Sequence, residues 1–316
     1  MADELKEMFD AKYYENLATQ VQKLYPSFNK KSFLQNTCSS LEDLSLNQRL
    51  RNTSVVLKKH LPDNYKKTIS LFYDVIETMP KGYTSLVFPD FVGLYGHNDF
   101  KMSMDALKHF TSFGSSEFAI REFLRNDFSK TIKVMEGWAI DQNYHIRRLA
   151  SEGSRARLPW SFKLDEVIHN PQSTAVILHS LKEDNELYVK KSVANHLNDI
   201  SKDNPHYMLQ LIDKWDKSNA HTAWIVKHAS RTLIKKGDKK VLQIFNYEKN
   251  EKVEIQNFKI KQPKLKIGET LEFSFFIVSK KSKTQKIVID YAIHYVKKGG
   301  DTSAKVFKLK ELDLVS

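Results

Sequence analysis

Over residues 1 to about 240, apolar side chains recur every three or four positions. Phe118, Ile120, Phe123 and Leu124 form one such set, and Val189, Val193, Leu197 and Ile200 form another. That period predicts amphipathic helices, each with one buried face. Glycine and proline are sparse there and fall between the periodic segments. Breaks are expected at Met79-Pro80-Lys81-Gly82 and across Pro89 to Gly96. From about residue 251 the period drops towards two. KVEIQNFKI, TLEFSFFIVS, QKIVIDYAIHYV and SAKVFKLKEL read as strands, and KIGE, SKKSKT and KKGGDT between them carry turn chemistry. Four to six short strands predict a small β-sandwich. The expected organisation is a helical domain over 1–240, a linker over 241–250 and a β-domain over 251–316.

The helical part contains a repeat. IRRLASE from Ile146, VKKSVAN from Val189 and VKHASRT from Val226 share a β-branched residue, two basic or histidine residues, and an alanine-containing run. They start 43 and 37 residues apart. Periods near 40 fit helix pairs stacked as a HEAT-like solenoid, so the fold class is mainly α, a helical-repeat solenoid followed by a β-sandwich. Equivalent positions of stacked repeats line one wall. Here they are Arg148, Lys191 and His228, with Lys227 and Arg231 beside the last. The register predicts a cationic stripe. The alternative is that such residues are merely solvated.

Charge changes the picture of partners rather than of fold. The 316 residues carry a formal charge of +12, which favours nucleic acid or another anionic surface. From Val241 onward there are 15 Lys against 9 Asp and Glu, so half of that excess lies in the last quarter. That tail could engage phosphates, protect sheet edges or cap the last repeat. One cysteine, Cys38, excludes an internal disulfide and a multi-cysteine zinc site. The charged, amphipathic start is no signal sequence, and no run approaches the roughly 18 apolar residues of a membrane span. A soluble cytoplasmic monomer is expected. There is no phosphate-binding P-loop, GxSxG elbow or HExxH pair, which removes the common hydrolase and metalloprotease readings.

The stretch HIRRLASEGSRARLPWS holds Arg147, Arg148, Arg155 and Arg157, a single carboxylate, Glu152, and a tryptophan, Trp160. Arg148 and Glu152 share a helix face at i and i+4. In the next repeat Lys191, Asn195 and Asp199 stand at i, i+4 and i+8, so acids from two neighbouring repeats can look into one basic groove. Glu117, in SSEFAIREF, is a third candidate, with Ser115 or Ser116 as a helix cap. An acid weakens binding of a phosphate backbone unless it serves something else. It can be structural: Glu152 orienting an arginine, Asp199 capping a helix, Glu117 favoured at a helix N-terminus. It can also face a cation. A base alkylated on a ring nitrogen is positive, and its departure leaves an oxocarbenium-like sugar. An indole face adds cation–π attraction for such a base.

At these residues the chain resembles the AlkC family of DNA alkylation repair glycosylases. The matching stretches are FVGLYG, FTSFGSSEFAIREF, HIRRLASEGSRARLPWS, YVKKSVANHLNDISKDNP and WIVKHASRTLIKKGD, together about half the chain and in order. The resemblance implies a HEAT-like groove around duplex DNA, with an immunoglobulin-like C-terminal domain in one branch. It implies a monofunctional glycosylase that hydrolyses the bond to N3-methyladenine and, in this branch, N3-methylcytosine, without a deep base pocket, a lyase step or a cofactor. Carried over, Glu117, Glu152, Trp160 and Asp199 face the lesion, while Arg148, Arg155, Arg157, Lys191, His228 and Arg231 face the backbone. Arg147, Asn195 and Lys227 join the DNA-binding set from the repeat register. The chain departs from the family pattern at Glu122, Ala156, Lys190, Lys191 and His196, where the family often has Pro, Pro, Arg, Arg and Asn. Lysine keeps charge but loses bidentate phosphate geometry. The alternative to an enzyme is a non-catalytic HEAT-repeat scaffold for nucleic acid or protein, since fold alone does not settle function.

Overall fold

The computed structural model describes residues 5–39, 41–245, 247 and 252–315. Contacts divide the chain into two units, Met1–Ala229 and Ser230–Ser316. The first is helical: α1 (Ala11–Leu24), α2 (Lys30–Cys38), α3 (Leu46–His60), α4 (Tyr65–Glu77), α5 (Val87–Tyr95), α6 (Phe100–Phe110), α7 (Glu117–Asn126), α8 (Phe128–Trp138), α9 (Tyr144–Gly153), α10 (Asp165–His169), α11 (Ala175–Ser180), α12 (Leu187–Asp203), α13 (Pro205–Asp213) and α14 (Ala220–Ala229). Among the described residues no helix is long and apolar enough to cross a membrane.

The repeat seen in sequence is a physical stack. α9 packs on α12, and α12 on α14. Ile146, Val189 and Val226, the aligned β-branched residues, are all buried. Each of these helices is entered through the same turn. Asp141, Asp184 and Asp216 accept the backbone N–H two residues on, at 2.9 Å in each case. An Asx turn of this kind satisfies an amide that the coming helix would leave orphaned. Consecutive turns are tied together: Lys108 of α6 meets Asp141 at 2.7 Å, and Arg147 of α9 meets Asp184 at 2.6 Å.

The break at Met79 to Gly82 is present, and Gly82 takes φ +134°, a conformation open to glycine. The break expected across Pro89 to Gly96 is not. Pro89 is the third residue of α5, in the first turn, where its missing N–H had no intrahelical partner to lose. The buried run Phe88, Phe91 and Val92 then carries the helix to Gly96.

The second unit holds α15 (Arg231–Lys235), α16 (Lys239–Ile244) and two antiparallel hairpins. β1 (Val253–Ile260) pairs with β2 (Phe273–Ser279), and β3 (Gln285–Val296) with β4 (Thr302–Leu314). Of the expected linker 241–250, residues 241–244 are helical, while 246 and 248–250 lie outside the described residues. The short helices after Ser230 therefore group with the strands. Phe273 and Tyr291, with centroids 6.1 Å apart, join the two hairpins, and Tyr291 stacks on Phe307. Buried Gln285 adds a polar link, donating to Ser279 Oγ at 2.9 Å.

Candidate functional site

Three helices position the acids. Glu117 opens α7, so its carboxylate lies where the helix N-terminus presents unpaired N–H groups and favours negative charge. Ser116 is the N-cap residue, but its hydroxyl donates to Leu107 O instead; Ser115 Oγ is the group that bonds Glu117. α9 carries Arg148 and Glu152 one turn apart and ends at Gly153. A Cβ at Gly153 would stand 2.5 Å from Ile120 Cγ2, so only glycine lets α9 close on α7. Asp199 lies inside α12, four residues before its end, so it is no cap.

Between these acids lie the arginines. Arg148 donates to Ser115 Oγ at 2.9 Å and to Glu117, and its Nη2 is 3.6 Å from Glu152 Oε1. Arg155 donates to Glu152 Oε1 at 2.6 Å, and its Nε and Nη2 both reach Asp199 Oδ2 at 2.8 Å. Lys202 closes the far side, 2.8 Å from Asp199 Oδ1. Charge thus alternates from Glu117 through Arg148, Glu152, Arg155 and Asp199 to Lys202. Glu152 and Asp199 are buried, and a buried charge is tolerable only when paired in this way. Burial works against the guanidinium of Arg148, and Glu117 and Glu152 outweigh it, so its pKa rises. Arg155 behaves alike, with burial opposed by Glu152 and Asp199.

The chain after Gly153 carries Trp160. This side chain is 62% exposed and sits at φ +63°, a region that bulky residues rarely enter. It is therefore no core tryptophan. Arg121, buried on α7, holds the segment that presents it, donating to Gly153 O at 3.0 Å, to Arg155 O at 2.6 Å, and to Phe162 O. Burial, then Arg155, lowers the Arg121 pKa to about 10, which leaves it charged at neutral pH. Glu117, Glu152, Phe118, Tyr83 and Trp160 line one open cleft of about 420 Å³. Asp199 is not in its lining and joins the site through Arg155.

The predicted basic residues separate into two kinds. Arg147 chelates Asp184 and donates to the Asp141 and Gln142 carbonyls at 2.9 Å, so it fastens two repeat turns. Arg157 grips Asp203 through two bonds of 2.7 and 2.6 Å. All four arginines of the stretch are thus paired with carboxylates of the chain. Lys191 and Lys227 are exposed, and Asn195 and His228 are half-buried. His228 stacks on Trp224 with centroids 4.9 Å apart. Arg231 belongs to the second unit. Two residues had no part in the expected site. Arg121 is one, although a charge inside the apolar run FAIREF was a visible signal. Tyr188 is the other: Arg148 lies over its ring at 4.8 Å, and nothing in its local sequence marks it. His196 is buried and hydrogen-bonded through Nδ1 to Ser151 O at 3.0 Å. Burial and Arg155 hold its pKa down at about 3, so it is neutral.

A family model described as the C-terminal Ig-like domain of uncharacterised protein YhaZ matches residues 254–316. Uncharacterized protein YhaZ of Bacillus subtilis (strain 168) is 42% identical over 99% of this chain and 87% of its own length. A solved structure, Pseudomonas fluorescens alkylpurine DNA glycosylase AlkC bound to DNA containing an abasic site analog, superposes with a TM-score of 0.95. It is 46% identical, over 99% of this chain and 87% of that one.

Proposed function

Because this chain belongs to the AlkC family, we propose that it is a monofunctional DNA glycosylase that removes cationic N3-alkylated bases from duplex DNA. N3-methyladenine is the principal substrate and N3-methylcytosine a second. The observation that carries this reading is the alternating chain of acids and arginines beside an exposed tryptophan. A surface that only bound phosphates would gain nothing from Glu117 and Glu152 in its cleft. A cationic base and a cationic sugar both would.

The chemistry is hydrolysis. The bond between C1′ and the base nitrogen breaks, and its electron pair enters the alkylated ring. That neutralises the positive charge of the base, so no acid is needed to protonate the leaving group. The charge passes to the sugar as an oxocarbenium-like species, which carboxylates at the cleft stabilise. Water adds to C1′ and loses its proton, with a carboxylate as acceptor. Trp160 presents its indole face to the cationic base. Exposed Lys191 and Lys227, with Asn195 and His228, contact the backbone, while Arg148 and Arg155 fix the acids. The lesion stays stacked until the bond breaks, a reading that the openness of the cleft supports.

The test is release of N3-methyladenine from methylated duplex DNA by purified protein. Duplex binding without release would support a non-catalytic repeat scaffold instead.

A further inference from the structure

The inner surface of the acid-lined cleft differs from the basic ground around it. Among the described residues no lysine or arginine lines it, and Arg148 and Arg155 reach Glu117 and Glu152 from outside that lining. Besides the two carboxylates, three aromatic side chains, Tyr83, Phe118 and Trp160, form the wall. Rings that only filled the core would be covered. Trp160 is exposed, and Tyr83 and Phe118 are half-buried. Tyr83 is brought there by a close approach of two loops. Gly82 donates its N–H to Phe113 O at 2.7 Å, and a Cβ on Gly114 would stand 2.7 Å from Gly82 O. A side chain at 114 would force the loops apart and carry Tyr83 away from Glu117. The phenol donates to Asn47 Oδ1 at 2.8 Å, which holds the ring in place. Burial, then Glu117 and Asp90, raise the phenol pKa, so the ring is uncharged at neutral pH.

We propose that Tyr83 is a substrate-contacting, specificity-determining residue, whose ring joins Phe118 and Trp160 in an aromatic wall that selects the lesion by its positive charge. The inference rests on the glycosylase reading above and adds a residue and a basis of selection to it. The chemistry of the wall fits a cation and little else. A phosphate is repelled by the two acids, and an uncharged base gains nothing from them. A cation is attracted both by carboxylates and by aromatic faces, and several rings around one cation make a stronger site than one. The N-methyl group of the lesion carries part of the charge, as in a methylated ammonium held by aromatic rings. A base still stacked in the duplex can turn that edge to the cleft. Once the bond to the sugar breaks, the base is neutral and this attraction is gone, so the wall does not retain the product.

The experiment is single-turnover excision of N3-methyladenine from methylated duplex by the full-length protein, with affinity for undamaged duplex measured on the same preparations. Tyr83→Leu keeps apolar bulk and removes the ring, and it is expected to slow excision about tenfold. Tyr83→Phe, which keeps a ring of similar π charge, is expected to recover most of that loss. Trifluorophenylalanine in place of Tyr83 has nearly the shape of phenylalanine but an electron-poor face, and it is expected to fall back towards the leucine variant. Affinity for undamaged duplex is expected to stay the same in all three. Excision at the wild-type rate in Tyr83→Leu overturns the inference and leaves the glycosylase standing. Equal rates with phenylalanine and trifluorophenylalanine overturn it too, since the ring then only fills space. That pair decides the matter even if Tyr83→Leu does not fold. Wild-type protein that releases no base removes the glycosylase reading, and this inference with it.

Discussion

Arg155 and Lys191 are both cations on successive repeats, and a sequence ruler assigns them to one groove. The structure gives them opposite surroundings. Arg155 is buried and spends its donors on Glu152 and Asp199. Lys191 is exposed on α12. The first can fix the geometry of acids; the second can meet a mobile polyanion. Net charge sees no difference between them, because a buried arginine paired with two carboxylates adds no attraction for phosphate. The stripe proposed to face DNA is therefore narrower than the count of basic residues, and within the arginine-rich stretch Arg148 and Arg155 are the two that hold the acids of the cleft.

The comparison breaks first at the acids. Glu152→Gln keeps an acceptor near Arg155 but removes the charge. Loss of one electrostatic stabiliser at a developing cation costs about 10² to 10³ in rate. Single-turnover excision is expected to fall by that factor, while duplex binding holds or improves. Wild-type excision in the variant would remove Glu152 from the mechanism.

Arg155→Met tests the positioning role. It strips Glu152 and Asp199 of their common partner, and breaking a buried pair costs about 3 kcal/mol or more. A fall in Tm of roughly 6 °C or more follows for a unit of this size. A lost packing contact would do the same, so a conservative variant supplies the sharper reading. Arg155→Lys keeps a cation beside Glu152 and Asp199 but not the two-sided fork, and it is expected to recover much of the single-turnover excision that Arg155→Met loses. Equal excision in the two variants would make Arg155 a structural residue only.

Much of this was legible in the sequence, and what was not has physical causes. The helical period, the change near residue 250, and the register of Ile146, Val189 and Val226 are set by local burial, so the chain displays them. The i, i+4 relation of Arg148 and Glu152 is likewise local. Pro89 misled because a proline breaks a helix in its interior and starts one in its first turn, and composition alone does not give the position. The pairing of Arg157 with Asp203 and of Arg155 with Asp199 spans more than forty residues. No local pattern encodes such pairs. Arg121 stands out as a charge inside an apolar run, but its role is hidden for a related reason: its partners are backbone carbonyls, which have no identity in a sequence.

His196 offers a third, smaller break, at the seam between α9 and α12. In the fold it is neutral, with its pKa at about 3, whereas an unfolded histidine titrates near 6.5. Below pH 6.5 the unfolded chain therefore binds a proton that the fold refuses. This term favours the fold fully above pH 6.5, and it is lost as pH falls towards 3. Between pH 7 and pH 5 it removes about 2 kcal/mol. His196→Asn has no such proton to bind, so its denaturant midpoint is expected to fall less over that interval. Parallel curves for the two proteins would show that His196 takes a proton within the fold.

The smallest effect sharpens the other half of the comparison. Lys191 is exposed and its charge is available to solvent. A phosphate contact carries no information about the base, so Lys191→Ala is expected to weaken binding to alkylated and intact duplex equally, by a few-fold. Its signature lies in salt. Each phosphate neutralised releases counterions, so losing one contact flattens the log–log dependence of affinity on salt by about one. Arg155→Met should leave that slope unchanged, because its charge is already spent on Glu152 and Asp199. The two slopes, measured on one duplex, separate a cation that binds DNA from a cation that holds acids. If Arg155→Met flattened the slope and Lys191→Ala did not, the assignments would be reversed, and the groove would run past Arg155 rather than along α12.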